Sequence, residues 1–527
     1  MDEPDNSARL PFKNKGTGKS LFLCHVLMLL AAGVMLAAVV NYFGMPVPCV
    51  HDEFCYLLQA KTFAAGRLTN PTPRYHEFLE TFHVIMKPSY TAKYFPGQAL
   101  PLTLGCLLGL PAIGLWLTGL ALVPLGIELF RRVSDLYCGC VVALFVYVRF
   151  FLFSYFGHSY WGGSFFMLCG GIMILGVFLF REHRVFLSAL LFGTGSGLCM
   201  ITRPYEGLFL GVACLVCIII LAISDRRRNA VKFGLVALAL VMIFGAGLLI
   251  YNRAVTGCCL TLPYSIYTEE YLPGYRTFIW QHPVAKPADK PEMFNTWAAE
   301  HVKFNRMTFF EFAGFGAGEY FKKIRWIMPY YSWALFVPLV VYLLVRRKFL
   351  GWFFLVSMLL LLVACVLTAN NYWKHYYSPW IWLGGLLYAM TIHLCLNTRW
   401  LRTQQAGHAL KYVPPLVLLV VSAHSAYMAE TDPIVLDRRW ERREEIQREL
   451  LEKHKQTGKQ YLVFVRPRKS PHIEFVYNAP CPYSSPIVWA RSLGRKKDRE
   501  LMEYLDDRKV FYIVDKEARL EEYHKNP

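Results

Sequence analysis

The chain has 527 residues, of which 55% are hydrophobic and 18% charged, short of the usual charge content of a soluble domain. Its net charge of +19 would by itself suit a nucleic-acid binder. The distribution excludes that partner: the basic residues stand in short runs between apolar blocks, where the positive-inside rule puts them in a protein embedded in a lipid bilayer.

A bilayer core needs about 20 apolar helical residues to cross it. In chain order, spans are expected at 20–42, 110–130, 136–153, 163–180, 185–201, 207–224, 231–251, 326–345, 350–369, 377–396 and 412–428. The first lacks a small-residue cleavage site and is followed by others, so it is read as retained rather than as a signal peptide. The apolar stretch 98–109 is too short to span and is expected at the membrane surface or leading into the second span. Lys13, Lys15 and Lys19, then Arg131 and Arg132, Arg181 and Arg184, Arg226 to Arg228, Arg346 to Lys348, and Arg399 and Arg402 fall on alternate connections. The short connections between them carry only Arg203 and Lys374. This places the N-terminus in the cytoplasm and, after an odd number of spans, the tail outside; a bacterial inner membrane is the expected location.

The expected fold class is therefore an all-α polytopic membrane protein of about eleven transmembrane helices with a small C-terminal α/β extracytoplasmic domain. Residues 1–428 make the membrane domain, with large outer loops at 43–98 and 252–325; residues 429–527 make the soluble domain. In that tail, Asp437–Lys455 has the spacing of an amphipathic helix. Tyr461–Val465, Ile487–Trp489 and Val510–Val514 read as strands, and Asp498–Leu505 as a helix between the last two. Cys49 and Cys55, both outside, are a pair that an oxidising compartment could join.

The short motifs lie on the outer side. His51-Asp52-Glu53 opens an amphipathic stretch in which Phe54, Leu57, Leu58 and Phe63 share a face. Its two carboxylates suit either helix capping or acid–base chemistry. Lys87 and Lys93 precede or abut Tyr94-Phe95-Pro96-Gly97-Gln98, a set of interfacial anchors or a cationic rim for a phosphate. His158-Ser159-Tyr160-Trp161-Gly162-Gly163 fills a short loop. Thr202-Arg203-Pro204-Tyr205-Glu206-Gly207 forms a compact charged turn: either a structural Arg203–Glu206 pair or a functional site at the membrane surface. Tyr372-Trp373-Lys374-His375-Tyr376-Tyr377 is an aromatic belt with one fixed cation. A phosphate-binding glycine loop, a zinc-protease motif and a nucleophile elbow are all missing from the sequence, which argues against an ATP-driven pump.

With Asp52-Glu53 in the first outer loop, followed by Tyr56 and Gly66-Arg67-Leu68-Thr69-Asn70-Pro71, the chain resembles the GT-C superfamily of membrane glycosyltransferases. Within it the chain is similar to bacterial relatives of glycosyltransferase family 39, which includes protein mannosyltransferases and aminoarabinose transferases. The blocks Tyr94–Gly97, Ser159–Gly163, Thr202–Gly207 and Pro486–Arg491 carry the same resemblance. It implies a polyprenyl-phosphate-linked sugar as donor and a glycan, lipid or protein hydroxyl as acceptor. Transfer would invert the anomeric carbon on the extracytoplasmic face. By match to the family's loop carboxylate, Asp52 is expected as the catalytic general base, with Glu53 as the alternative for that role. Arg203, Lys93 and Lys374 are expected at the leaving phosphate, and Tyr94, His158, Tyr160, Glu206 and His375 beside the substrates. Some members of the family carry a further acid in the second outer loop; here 154–162 holds none. No carboxylate cluster suited to a hard cation is evident, so no cofactor is expected, with a divalent metal left open. The alternative is a transporter or flippase of a lipid-linked saccharide, which predicts polar residues within the spans and related halves.

Overall fold

The computed structural model describes residues 18–224, 230–283, 286–287, 290–346, 348–369, 373–397, 441–466, 474–513 and 519–523, with positions 416, 420, 423 and 424. The chain is a polytopic membrane protein. Among the described residues, eight helices are long and apolar enough to cross a bilayer. They are α1 (Gly18–Phe43), α4 (Pro111–Phe130), α6 (Ser164–Arg181), α7 (Val185–Thr202), α8 (Pro204–Ser224), α9 (Ala230–Thr256), α14 (Phe349–Leu367) and the segment Lys374–Leu396, whose α-helical part, α15, is Ile381–Leu396. A shorter apolar helix, α5 (Leu136–Tyr147), continues through a π turn, Val148–Leu152, where the third span was expected. The expected span 412–428 lies outside the described residues apart from those isolated positions.

One expected span differs in kind. Residues 326–345 divide at Pro329: α13 (Tyr330–Val345) is apolar, whereas α12 (Phe309–Ile327) meets it at a bend of 100°. Proline cannot continue the hydrogen-bond ladder. Glu311, Glu319, Lys322, Lys323 and Arg325 on α12 oppose hydrocarbon burial, so α12 is amphipathic: its Gly316 lies against the backbone of Cys365 and Val366, and Ile324 and Ile327 join the core of the bundle. Close helix crossings depend on residues without side chains: a Cβ on Gly176 would sit 2.8 Å from the Phe192 backbone, and one on Gly195 2.6 Å from that of Met173, so α6 and α7 touch backbone to backbone.

The two large loops fold against each other. The first holds α2 (His51–Ala64), the hairpin β1 (Val84–Ile85) and β2 (Thr91–Ala92), and runs into α3 (Ala99–Leu107), which packs on α2 and α4. The second holds α10 (Pro263–Tyr271) and α11 (Glu292–His301). Phe82 and Ile85 of the first loop share a core with Tyr267, Tyr271, Met293 and Phe294 of the second. Lys290 ties them again, 2.5 Å from Glu80 and 2.6 Å from Glu270. Arg276, fully buried, donates to the carbonyls of Phe304, Met307 and Ile279 and so satisfies a turn of the second loop from within.

The tail is a four-stranded sheet in the order β4 (Ile487–Arg491), β3 (Gln460–Val465), β5 (Arg508–Ile513), β6 (Leu520–Glu522). β3 is parallel to both neighbours and apolar and buried from Tyr461 to Val465, as a strand covered on both faces must be. α16 (Glu441–Thr457) buries Ile446 and Leu450, and α17 (Arg495–Tyr504) buries Leu501. The expected start of α16 at 437–440 lies outside the described residues, and β6 is an addition to the expected strands. The sheet shares one core with the first loop, where Phe54, Leu58, Phe78 and Met86 meet Phe464, Val476, Val488 and Trp489. Cys49 and Cys55 are both free thiols; the expected option of a bridge is not taken, and Cys55 instead donates to the Phe82 carbonyl.

Candidate active site

α2 sets the site. Asp52 and Glu53 lie in its first turn and Lys61 in its last, each matched in sign to the helix dipole; Gly66, with φ of +72°, turns the chain away. Helical spacing points Phe54, Leu58 and Lys61 one way and Asp52, Tyr56 and Gln59 the other. The first face docks on the tail: Phe54 stacks on Tyr477 at 4.2 Å, and Arg443 lies 4.9 Å from its ring. The second face turns toward Tyr94 and Tyr251. Gln59 donates to the Tyr94 carbonyl at 3.1 Å and to the Tyr251 hydroxyl at 2.7 Å.

The two carboxylates have different surroundings. Glu53 is fully buried and accepts from the backbone N–H groups of Cys49 (2.6 Å), Val50 (3.0 Å) and Tyr160 (2.6 Å). It closes the acidic half of a capping box and ties α2 to the loop after α5. Burial pushes its pKa up, against the pull of those amides. Asp52 keeps access to solvent. One of its oxygens accepts from the Tyr94 hydroxyl, and the other lies 3.8 Å from Nε2 of His83. Burial and the Asp52 charge both push the Tyr94 pKa up, so Tyr94 stays a hydroxyl donor.

Two cations face this carboxylate. Lys93 is 96% shielded, with its ammonium 4.5 Å from the Tyr267 ring, 4.8 Å from Tyr264 and 5.1 Å from Tyr94. Burial pushes its pKa down to about 8, even with Asp52 pulling it up. Arg203 caps α7 and lies 4.2 Å from the Tyr376 ring, within the field of Asp52, Tyr56 and Glu206. Among the described residues neither cation has a carboxylate within 4.0 Å. Glu206, buried at the start of α8, does not form the ion pair with Arg203 that their spacing allowed. Gly97 explains how Arg203 is placed: a Cβ there would stand 2.1 Å from the Thr202 hydroxyl and 2.7 Å from the Ile201 carbonyl, so the Tyr94–Gln98 turn lies directly on the end of α7.

The other expected residues stand farther out. His158 holds the Leu152 carbonyl at 2.8 Å through Nε2, and burial lowers its pKa. Tyr160 acts through its backbone on Glu53, and its hydroxyl donates to the Pro46 carbonyl. His375 is buried against the Tyr155 hydroxyl at 3.0 Å and the Trp161 ring at 4.7 Å. Lys374 is exposed, 5.6 Å from the Trp326 ring. The structure thus gathers Asp52, Tyr94, Lys93, Arg203 and Glu206, and leaves His158, Lys374 and His375 around them. Sequence reasoning missed His83, Tyr267 and Tyr376 as neighbours of the site. Only the aromatic run around Tyr376 gave any sign.

The donor set around Asp52 does not fit a hard divalent ion, which takes several oxygen ligands. Both Glu53 oxygens face amides, and the remaining neighbours are the His83 imidazole, two cations and a phenol. A separate group, Asp135, Cys138 and His393, brings its ligand atoms within 4.8 Å of one another, but at the opposite ends of α5 and α15. There Asp135 caps α5 through the Cys138 N–H and holds His393 at 2.7 Å, so hydrogen bonding alone accounts for the cluster.

No family model matches the chain, and no curated protein matches it in sequence. Among solved structures it is similar to the Archaeoglobus fulgidus oligosaccharyltransferase in complex with zinc and sulfate. That match has 10% identity and a TM-score of 0.48, covering 92% of this chain and 67% of that one. The archaeal oligosaccharyltransferase AglB with an inhibitory peptide and a dolichol-phosphate matches at 11% identity and a TM-score of 0.47, over 94% and 70% of the two chains. ArnT from Cupriavidus metallidurans, bound to undecaprenyl phosphate, matches at 13% identity and a TM-score of 0.45, over 86% and 84%.

Proposed function

We propose that the protein is a membrane glycosyltransferase that moves a sugar from a polyprenyl phosphate to an acceptor hydroxyl. The reaction takes place on the extracytoplasmic face, where both large loops and the tail lie; the bacterial inner membrane is the proposed location. The observation that carries this reading is one accessible carboxylate, Asp52, facing two cations, Lys93 and Arg203, neither of which has a carboxylate within 4.0 Å among the described residues. It joins the motif resemblance of the Asp52-Glu53, Tyr94–Gly97 and Thr202–Gly207 blocks.

The chemistry follows from those charges. Asp52 takes the proton of the acceptor hydroxyl as its oxygen attacks the anomeric carbon. The bond from that carbon to the phosphate oxygen breaks, and its electron pair leaves with the polyprenyl phosphate. Lys93 and Arg203 meet the charge that gathers there, Arg203 with a fork suited to two phosphate oxygens. Attack opposite the leaving group inverts the anomeric carbon. Glu53 positions α2 and does not exchange the proton. The donor set favours metal-independent transfer. Asp52→Asn tests the reading: donor consumption by purified protein with acceptor-rich membrane extract should fall by about 10²–10⁴-fold, the usual worth of a general base. Equal consumption by variant and wild type would remove Asp52 as the base.

A further inference from the structure

The face of α2 turned away from Asp52 borders a cavity that sugar transfer does not use. Its volume is about 370 Å³, within the range of small-ligand sites, about 300–1,000 Å³. Leu57 and Lys61 of α2 form one wall, and Gln447 of α16 and Trp489 of β4 lie in the wall made by the tail. Pro48, just past α1, and Pro111, the first residue of α4, complete it. The cavity therefore stands at the ends of two spans, at the level where lipid head groups begin.

Three charged side chains line this space, and two of them answer each other: Arg443 lies 2.6 Å from Glu444. Lys61 has no carboxylate within 4.0 Å among the described residues. Its side chain is exposed, yet the protein around it is close enough to push its pKa down, as expected of a cation that meets water inside a cavity rather than on a convex surface. Gln447 adds a second donor. Its carbonyl oxygen accepts from Arg443 at 3.0 Å, which leaves its NH2 group to donate. Beside Lys61, α3 packs on α2, with Cys106 within reach of the lysine charge. α3 is too short to span a bilayer, and Leu104, Leu107 and Leu108 at its end are exposed. Exposed leucines on a short helix next to a span are placed to lie among acyl chains.

We propose that this cavity holds the head group of an anionic phospholipid, with the phosphate on Lys61 and Gln447 and the acyl chains along the leucines of α3. A cation without a counter-charge selects an anion, and the adjoining leucines select an anion that carries hydrocarbon, which a free phosphate does not. The lipid touches α2 and the tail at once, and so fastens the helix that bears Asp52 from the side away from its carboxylate. Nothing in this site depends on sugar transfer.

The test uses the full-length protein purified in detergent and a phosphatidylglycerol with a photoreactive head group. Cross-linked peptides are identified by mass, and label is expected on those that contain Lys61 and Gln447. Unlabelled phosphatidylglycerol should displace the probe; phosphatidylcholine and glycerol phosphate at the same concentration should not. Lys61→Gln should weaken the apparent affinity at these peptides by about fivefold, the worth of one lysine at a lipid surface, and Lys61→Arg should retain it. Label confined to other peptides, or unchanged affinity in Lys61→Gln, overturns the proposal. Equal displacement by phosphatidylcholine overturns it too, and equal displacement by glycerol phosphate makes the cavity a site for a soluble phosphate instead. If Lys61→Gln does not fold, the label map and the competition on wild type decide. Donor consumption is not read, so failure here leaves the transferase reading standing.

Discussion

Removing Glu53 should destroy the site without touching the reacting atoms. Its carboxylate is fully buried and accepts from three backbone amides, those of Cys49, Val50 and Tyr160. Glu53→Ala leaves all three donors without their partner, those of Cys49 and Tyr160 in buried surroundings. A buried group stripped of its partner costs about 1–3 kcal/mol, and the three are neighbours and not additive, so a total of about 3–6 kcal/mol is expected from the same principle. The loss falls on the two segments that hold α2 in place: 49–50 at its start and the loop at 160. Glu53→Gln keeps one acceptor oxygen and turns an NH2 toward an amide, so it should lose roughly half as much. The assay is thermal unfolding of detergent-purified protein followed by tryptophan fluorescence, beside donor consumption. Glu53→Ala should unfold at clearly lower temperature, Glu53→Gln in between, and activity should follow folded fraction in both. A Glu53→Ala protein as stable as wild type but inactive would refute this and return Glu53 to the chemistry.

Lys93 gives a prediction with two opposite signs. Burial sets its pKa at about 8, below the unfolded value near 10.4. Donor consumption should therefore fall as pH rises through about 8, as the ammonium is lost. Over the same window, up to about 10.4, the unfolded state binds more protons, so this group's contribution makes the fold more stable with rising pH. Lys93→Arg should move the basic limb of activity upward. Gly97→Ala forces a methyl into the Thr202 backbone; an overpacking cost of about 1–3 kcal/mol and a raised donor KM from displaced Arg203 are expected, read by thermal midpoint and steady-state kinetics. Arg443 donates to the carbonyls of Phe475 (3.1 Å) and Tyr477 (2.9 Å) and lies against Phe54 and Trp489. Arg443→Ala should loosen the tail from α2, giving faster limited proteolysis of the tail and a parallel loss of transfer.

The spans were legible because hydrocarbon thickness demands long apolar runs, and α4, α6, α7, α9 and α14 supply them within a few residues of expectation. α12 was hidden for the converse reason: its charges made it look like loop, and its helical period was masked by the length of 252–325. The tail strands were read from short apolar runs, and β6, with Glu521 and Glu522 in its three residues, offered no such run. Asp52 was marked by its place after the first span. Its partner His83 was not, because it lies 31 positions farther along the chain, beyond any local pattern, and only folding of the hairpin joins them. Glu53 looked interchangeable with Asp52 in sequence; one step along a helix turned it from the cleft into the backbone of its own N-terminus.

The core shared by α2 and the tail also sets an order of events in biogenesis. Phe54, Leu58 and Phe78 are completed by Phe464, Val488 and Trp489, which leave the ribosome some four hundred positions later. Contacts so distant in the chain form late. The helix that presents Asp52 thus acquires its apolar backing only after the intervening spans and the tail have been made. A nascent chain would expose the carboxylate without the support that orients it, and transfer would begin only with the finished protein.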